Sequence, residues 1–249
     1  MKVLSYLIVL GCLLISCHTS YGERISMESE ENAISGKSLA PGYKSCPQRL
    51  GANNIVQIEV PGLWPFYVSC ESNIAGPGWI VIARRSNDKT NFFLKWEEYK
   101  HGFGELSGDF FLGLDKIHAI TGTQNHELYI HLEDFEGQTR YARYDQFYIE
   151  NENMQYQLTK ANGFSGDAGN GLDYQKGMKF STYDKDHTGH CAVDRMGAWW
   201  YNGCANSNLF ALYLGGEYST ALEAKGMHWK SWRGLRYAYK RMVMMVRPT

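Results

Sequence analysis

The placement of cysteine constrains this chain more than any other feature. Of its six cysteines, Cys12 and Cys17 fall within the first 22 residues. There Met1 and Lys2 give a short positive start, an apolar run follows over 3–15, and the small residues Ser20 and Gly22 stand at the spacing a signal peptidase reads. Residues 1–22 are therefore expected to be a signal peptide, and the apolar run is too short to span a bilayer comfortably. Removing it leaves four cysteines, Cys46, Cys70, Cys191 and Cys204, in a chain routed to an oxidising compartment. Two disulfides follow, and sequence order permits three connectivities. The local pairing closes the shortest loops, and a bridge between Cys191 and Cys204 would stabilise by roughly 3 kcal/mol in the chain-entropy model. The rival reading is zinc, but no cysteine pair has the C-x-x-C spacing of such sites.

The rest of the composition describes what those bridges staple. The chain carries 17 Tyr, 11 Phe and 7 Trp beside 26 Gly, which suits short strands and loops packed around rings. A net charge of −1 gives no basic surplus for nucleic acid or for insertion at an anionic membrane. Residues 23–42 are polar and end at Pro41-Gly42, the look of a flexible leader. They hold no heptad and no Gly-x-y period, so they provide neither a coiled coil nor a collagen stalk. From 43 to 249 no second linker appears, and one domain is expected.

Periodicity places several elements. The run 79–83, bounded by Gly76-Pro77-Gly78, reads as a buried strand. Residues 127–133 alternate, with Leu128, Ile130 and Leu132 against Glu127, Tyr129, His131 and Glu133, as in a half-buried strand. Residues 140–149 follow the turn Glu136-Gly137 and should complete an antiparallel hairpin. Leu114, Ile117 and Ile120 have helical spacing before Gly122, and 236–246 again has strand character. The stretch 160–235 is rich in Gly, Asn, Asp, Tyr and Trp and lacks periodicity, which is where ligand binding usually sits. The class is α+β with a mixed central sheet.

The segment Gly78-Trp79-Ile80-Val81-Ile82-Ala83-Arg84-Arg85 resembles the Gly-Trp-x-Val-Ile-x-Arg-Arg strand of the fibrinogen C-terminal domain family. The likeness continues in order through residues 96–104, 106–118, 132–137 and 177–184. It ends in Cys191-Ala192-Val193, Gly197-Ala198-Trp199-Trp200-Tyr201, Cys204 and Ser207-Asn208-Leu209. The family includes ficolins, tachylectin-like lectins, angiopoietin-like proteins and fibrinogen, all binders and not catalysts. The resemblance implies a small N-terminal subdomain holding one disulfide, a central sheet, and a loop-rich C-terminal subdomain with calcium and ligand sites. It also implies the pairing 46–70 and 191–204. The expected function is lectin-like recognition of microbial or cell-surface molecules in innate defence, with a signalling ligand for a protein receptor as the alternative.

Two sites come with the resemblance. Asp184 and Asp186 stand two apart in a Gly-flanked loop, and with carbonyls from about Thr188 and His190 they match the family's calcium ligands. This loop is shorter and less acidic than in relatives, so a solvated turn is the plain alternative. Acetyl-binding relatives use a cis peptide between the second cysteine and a following His, walled by tyrosines. Here Gly203 and Cys204 are followed by Ala205, and the wall positions hold Arg195, Glu223 and Leu235. Such a pocket suits a charged or zwitterionic ligand, unless Arg195 and Glu223 pair and fill it. Trp199, Trp200, Trp229 and Trp232 read as buried packing, not as sugar platforms. No H-E-x-x-H or G-x-S-x-G occurs, and Glu97, Glu98 and Asp109 fall in structural motifs, so no catalytic role is assigned.

Overall fold

A computed structural model describes residues 44–249; the expected signal peptide and the whole of the expected leader lie outside the described residues. Strands β1 (Ile55–Ile58), β2 (Phe66–Glu71) and β3 (Trp79–Arg85) precede helix α1 (Trp96–His101) and the short strands β4 (Phe103–Gly104) and β5 (Phe110–Phe111). Helix α2 (Leu114–Thr123) leads into β6 (His126–Glu133), β7 (Thr139–Ile149) and β8 (Leu158–Ser165). The remainder holds α3 (Cys191–Asp194), β9 (Ser207–Asn208), β10 (Gly216–Glu217), β11 (His228–Trp229), α4 (Lys230–Arg233), β12 (Tyr237–Ala238) and β13 (Arg241–Pro248).

The main sheet runs β1-β2-β3-β13-β6-β7-β8, with β4 and β5 appended to β3. Every pairing in it is antiparallel, which corrects the expected mixed sheet. The last strand returns between β3 and β6, and its direction is set by partners far away in sequence. Among the described residues the one parallel bridge is an isolated contact of Leu212 with Gly226. As expected, residues 79–83 of β3 are apolar and buried on both faces, and the 136–137 turn joins β6 and β7 in a hairpin. Leu128, Ile130 and Leu132 of β6 are fully buried, as are Leu114, Ile117 and Ile120 of α2. Each such side chain contributes roughly 1.5–3 kcal/mol.

Three expectations change in detail. Helix α2 runs through Gly122 to Thr123. The strand expected over 236–246 breaks after Ala238: β12 pairs with β10, and β13 joins the main sheet. Glu127, expected to face solvent, is fully buried. Its carboxylate accepts from Arg143 Nε at 2.6 Å and from Arg247 Nε at 2.9 Å, so the strand's alternation fails where two arginines satisfy a buried charge.

Both disulfides adopt the local pairing. Cys46–Cys70 ties the N-terminal segment to β2, and Cys191–Cys204 joins the start of α3 to the turn before β9, with Cα atoms 5.7 and 5.2 Å apart. Among the described residues no helix is long and apolar enough to cross a membrane.

Candidate functional site

The loops between β8 and β13 rest on a layer of rings. Trp199, Trp200 and Trp229 are fully buried; Trp200 Nε1 donates to Tyr156 O and Trp229 Nε1 to Gly169 O. Trp232 is only half-buried, stacked on Tyr239 at 5.0 Å with the Arg140 guanidinium over its ring, so it is less enclosed than expected. The loops above this layer carry both sequence-predicted sites.

In the first, both aspartates tie the loop together. Asp184 Oδ1 accepts from Trp96 N at 2.9 Å and Thr182 Oγ1 at 2.7 Å, which fastens the loop to the first turn of α1. Asp186 Oδ1 accepts from Thr188 N at 2.8 Å and Thr188 Oγ1 at 2.6 Å, while Oδ2 accepts from Ala192 N at 2.7 Å in α3. Burial alone would raise the Asp186 carboxyl; the bonds from Thr188 and Ala192 outweigh it and hold its pKa below the ordinary aspartate value. The two backbone positions are engaged as well. Thr188 O lies 3.1 Å from His190 Nδ1, and His190 O accepts from Asp194 N at 2.9 Å.

Calcium asks for six to eight oxygens turned toward one point. Here Asp184 Oδ1, both Asp186 carboxylate oxygens and the His190 carbonyl already accept hydrogen bonds from the protein, and we propose that the loop is held by these bonds without an ion. Among the described residues one cluster of three His, Cys, Asp or Glu groups has ligand atoms within 4.8 Å of one another. It is His190 with Cys191 and Cys204, whose sulfurs are already joined. Asp186→Ala should therefore lower the melting temperature equally in chelator and in calcium, by the about 1–2 kcal/mol of a lost helix cap. Differential scanning calorimetry decides it, since a wild-type melting temperature that falls on chelation would make the loop an ion site.

The second site is assembled from three loops. Arg195 closes α3 and reaches across to the backbone carbonyl of Glu223, with Nη1 3.4 Å from the oxygen. The Glu223 and Leu235 segments are joined by Ala224 N donating to Leu235 O at 2.8 Å. Gly203 and Cys204 both take left-handed conformations, φ 51° and 45°, turning the chain into Ala205; no peptide bond among the described residues is cis. The structure thus brings Arg195, Glu223 and Leu235 to one face. A side chain at Gly203 would meet only the Tyr174 hydroxyl, at 3.8 Å.

The expected Arg195–Glu223 ion pair is absent among the described residues. The contact is to the main chain, the Glu223 side chain is exposed, and Arg195 Nε is buried without an acceptor. Two residues that sequence reasoning passed over complete the site. Tyr218 stands beneath the loops, its hydroxyl donating to Leu235 O at 2.7 Å and accepting from Gly226 N. His228 is fully buried on β11, with Nδ1 2.8 Å from Gly226 O and Nε2 lacking a hydrogen bond. Burial pushes its pKa down to about 4, and the nearby Arg195 charge adds to the shift.

Comparisons with known proteins agree with this architecture. Techylectin-5A of Tachypleus tridentatus is 44% identical over 187 residues, covering 73% of this chain and 63% of the relative. Angiopoietin-related protein 6 of Mus musculus is 41% identical over 184 residues, covering 72% of this chain and 40% of the relative. The chain thus spans about two fifths to just under two thirds of these relatives' length. Among solved structures, the fibrinogen-like globe domain of human ANGPTL2 superposes with a TM-score of 0.75 at 37% identity, covering 79% of this chain and 92% of that one. A lamprey fibrin D-dimer complexed with the peptide Gly-His-Arg-Pro-amide gives 0.69 at 34% identity, covering 74% and 65%. The family of fibrinogen beta and gamma chains, C-terminal globular domain, matches residues 48–249, and this chain belongs to it.

Proposed function

We propose that this domain is a secreted, non-catalytic recognition module. It binds a charged group on a microbial or cell-surface molecule through the face formed by Arg195, Glu223 and Leu235. The observation that carries the reading is the Arg195 guanidinium, at a position to which the resemblance assigns an aromatic wall in acetyl-binding members of the family. Its Nε has no acceptor and its Nη1 reaches only a carbonyl at 3.4 Å. A partly buried cation with open donors favours an anionic ligand, held by charge-assisted hydrogen bonds. The exposed Glu223 carboxylate is available to a cation on the same ligand. The lectin name of the techylectin relative and the signal-like segment at 1–22 support extracellular recognition, as do the two disulfides. Asp186 serves this face by fastening α3, which Arg195 closes, and Asp184 by fastening the loop to α1.

A neutral N-acetyl sugar fits poorly. Its methyl gains only about 25 cal/mol per Å² buried, whereas covering an unpaired guanidinium costs several kcal/mol. Calorimetry with N-acetylglucosamine is expected to show no binding at millimolar concentration. A glycan array should give signal confined to carboxylated, sulfated or phosphorylated glycans, reduced more than about tenfold by Arg195→Ala. Millimolar or tighter N-acetylglucosamine binding that is lost on changing Ala205 or Arg195 would overturn the reading. An empty array beside saturable binding to a cell-surface protein would favour a receptor ligand, the reading that the angiopoietin-related relative supports.

A further inference from the structure

Arg85, the last residue of β3, is a buried cation without a carboxylate. It is 2% exposed, and among the described residues no acidic group lies within ion-pair distance. Its Nη1 donates to Ala211 O and, at 3.3 Å, to Leu209 O, and its guanidinium lies over the Phe92 ring at 4.3 Å. Those contacts leave the other half of the fork open: Nε is buried without an acceptor, and among the described residues Nη2 donates to no protein group. The nearby Asp109 carboxylate is turned elsewhere, accepting from Ser86 N, Ser86 Oγ and Asn87 N. Burial lowers the Arg85 pKa to about 10, so the group stays charged at neutral pH.

Arg85 also lines a cavity of ≈ 260 Å³ between the 88–93 loop and residues 211–214. Phe92, Phe93 and Leu214 give it apolar walls, and Lys89 and Asp88 stand at exposed positions of its rim. Buried charges are ordinarily paired, and two carbonyls with a ring neutralise no charge. A guanidinium fork with one open edge matches a carboxylate. We infer that this cavity binds a small carboxylate with an aliphatic body, its head on the open side of Arg85 and its chain against Phe93 and Leu214. This site stands apart from the Arg195 face and does not depend on it.

The probe is glutarate, compared with its neutral isostere glutaramide in a backbone-amide NMR titration of the folded domain. Glutarate should shift the resonances of residues 85–93 and 211–214 saturably at millimolar concentration, with glutaramide weaker by more than about tenfold. Because Arg85 also holds the Leu209 and Ala211 carbonyls, substituting it tests folding as much as binding. The deciding variant is Leu214→Trp, which sets a bulky ring at the cavity and leaves Arg85 intact. It should abolish the glutarate shifts while the melting temperature stays near wild type. If Leu214→Trp does not fold, glutaramide alone decides. Equal binding of the amide overturns the inference, as does the lack of saturable shifts at 85–93 and 211–214. Glucuronate and N-acetylglutamate then distinguish the source: tighter glucuronate binding marks an acidic sugar, and tighter N-acetylglutamate binding marks a peptide carboxylate.

Discussion

Between pH 6.5 and 4 this domain is expected to lose much of its stability, because two fully buried histidines must stay neutral in the fold. His126 and His228 are both 0% exposed, and burial pushes each pKa from the ordinary value to about 4. In the unfolded chain the same rings titrate near 6.5. The unfolded state therefore binds protons across this window that the folded state refuses. The stabilisation is complete above about pH 6.5 and is lost as the pH falls toward 4. A gap of about 2.5 pH units corresponds to roughly 3 kcal/mol for each ring, so the pair approaches the whole stability of an ordinary domain. His131 and His187 are lowered as well, by burial first in each case, and act in the same direction. Thermal melts at half-unit pH steps should show the decline. His228→Asn, which keeps a donor near Gly226 O, should remove close to half of the slope. A melting temperature that stays flat from pH 7 to 4.5 would refute the assignment of neutral, buried rings. The decline bears on binding because the Arg195 charge lies close enough to His228 to lower its pKa, so acid weakens the support of that face along with the sheet that holds His126.

How much of this was readable beforehand depended on the range over which each residue finds its partners. The alternation in β6, the apolar run of β3 and the spacing on α2 are local, and these elements stand where periodicity placed them. The sheet's sense was not local, since β13 meets β3 and β6 across most of the chain. Glu127 looked exposed because its arginine partners are 16 and 120 residues away. The same holds at the candidate sites. Arg195 could be positioned by its spacing from Cys191, but its failure to pair with the Glu223 carboxylate depends on how three loops meet. The spacing of Asp184 from Asp186 is local, but Trp96 N, which occupies one of the Asp184 oxygens, is 88 residues away. Tyr218 and His228 lie where the sequence has no period, and only their contacts with Leu235, Gly226 and Arg195 distinguish them from any other tyrosine or histidine.

Trp199→Ala is expected to lower the melting temperature by on the order of 10 °C, which separates a packing role from a sugar platform. The ring is fully buried, with centroids 4.9 Å from Phe210 and 5.2 Å from Trp200. Its backbone exchanges both hydrogen bonds with Ser181, at 2.9 and 3.1 Å, so it joins the start of the Asp184–Asp186 loop to the segment after α3. Deleting such a ring costs about 3–5 kcal/mol, and for a domain of this size each kcal/mol moves the midpoint by about 2–4 °C. The conservative change tells more. Trp199 Nε1 is buried without an acceptor, so Trp199→Phe loses no hydrogen bond and removes an unsatisfied donor. That variant should stay within about 1.5 kcal/mol of wild type and keep ligand binding intact. A solvent-facing platform would behave the other way, with Trp199→Ala abolishing binding while the melt stayed unchanged. An alanine variant melting within about 2 °C of wild type, under 1 kcal/mol at this size, would therefore move Trp199 from the core to the binding surface.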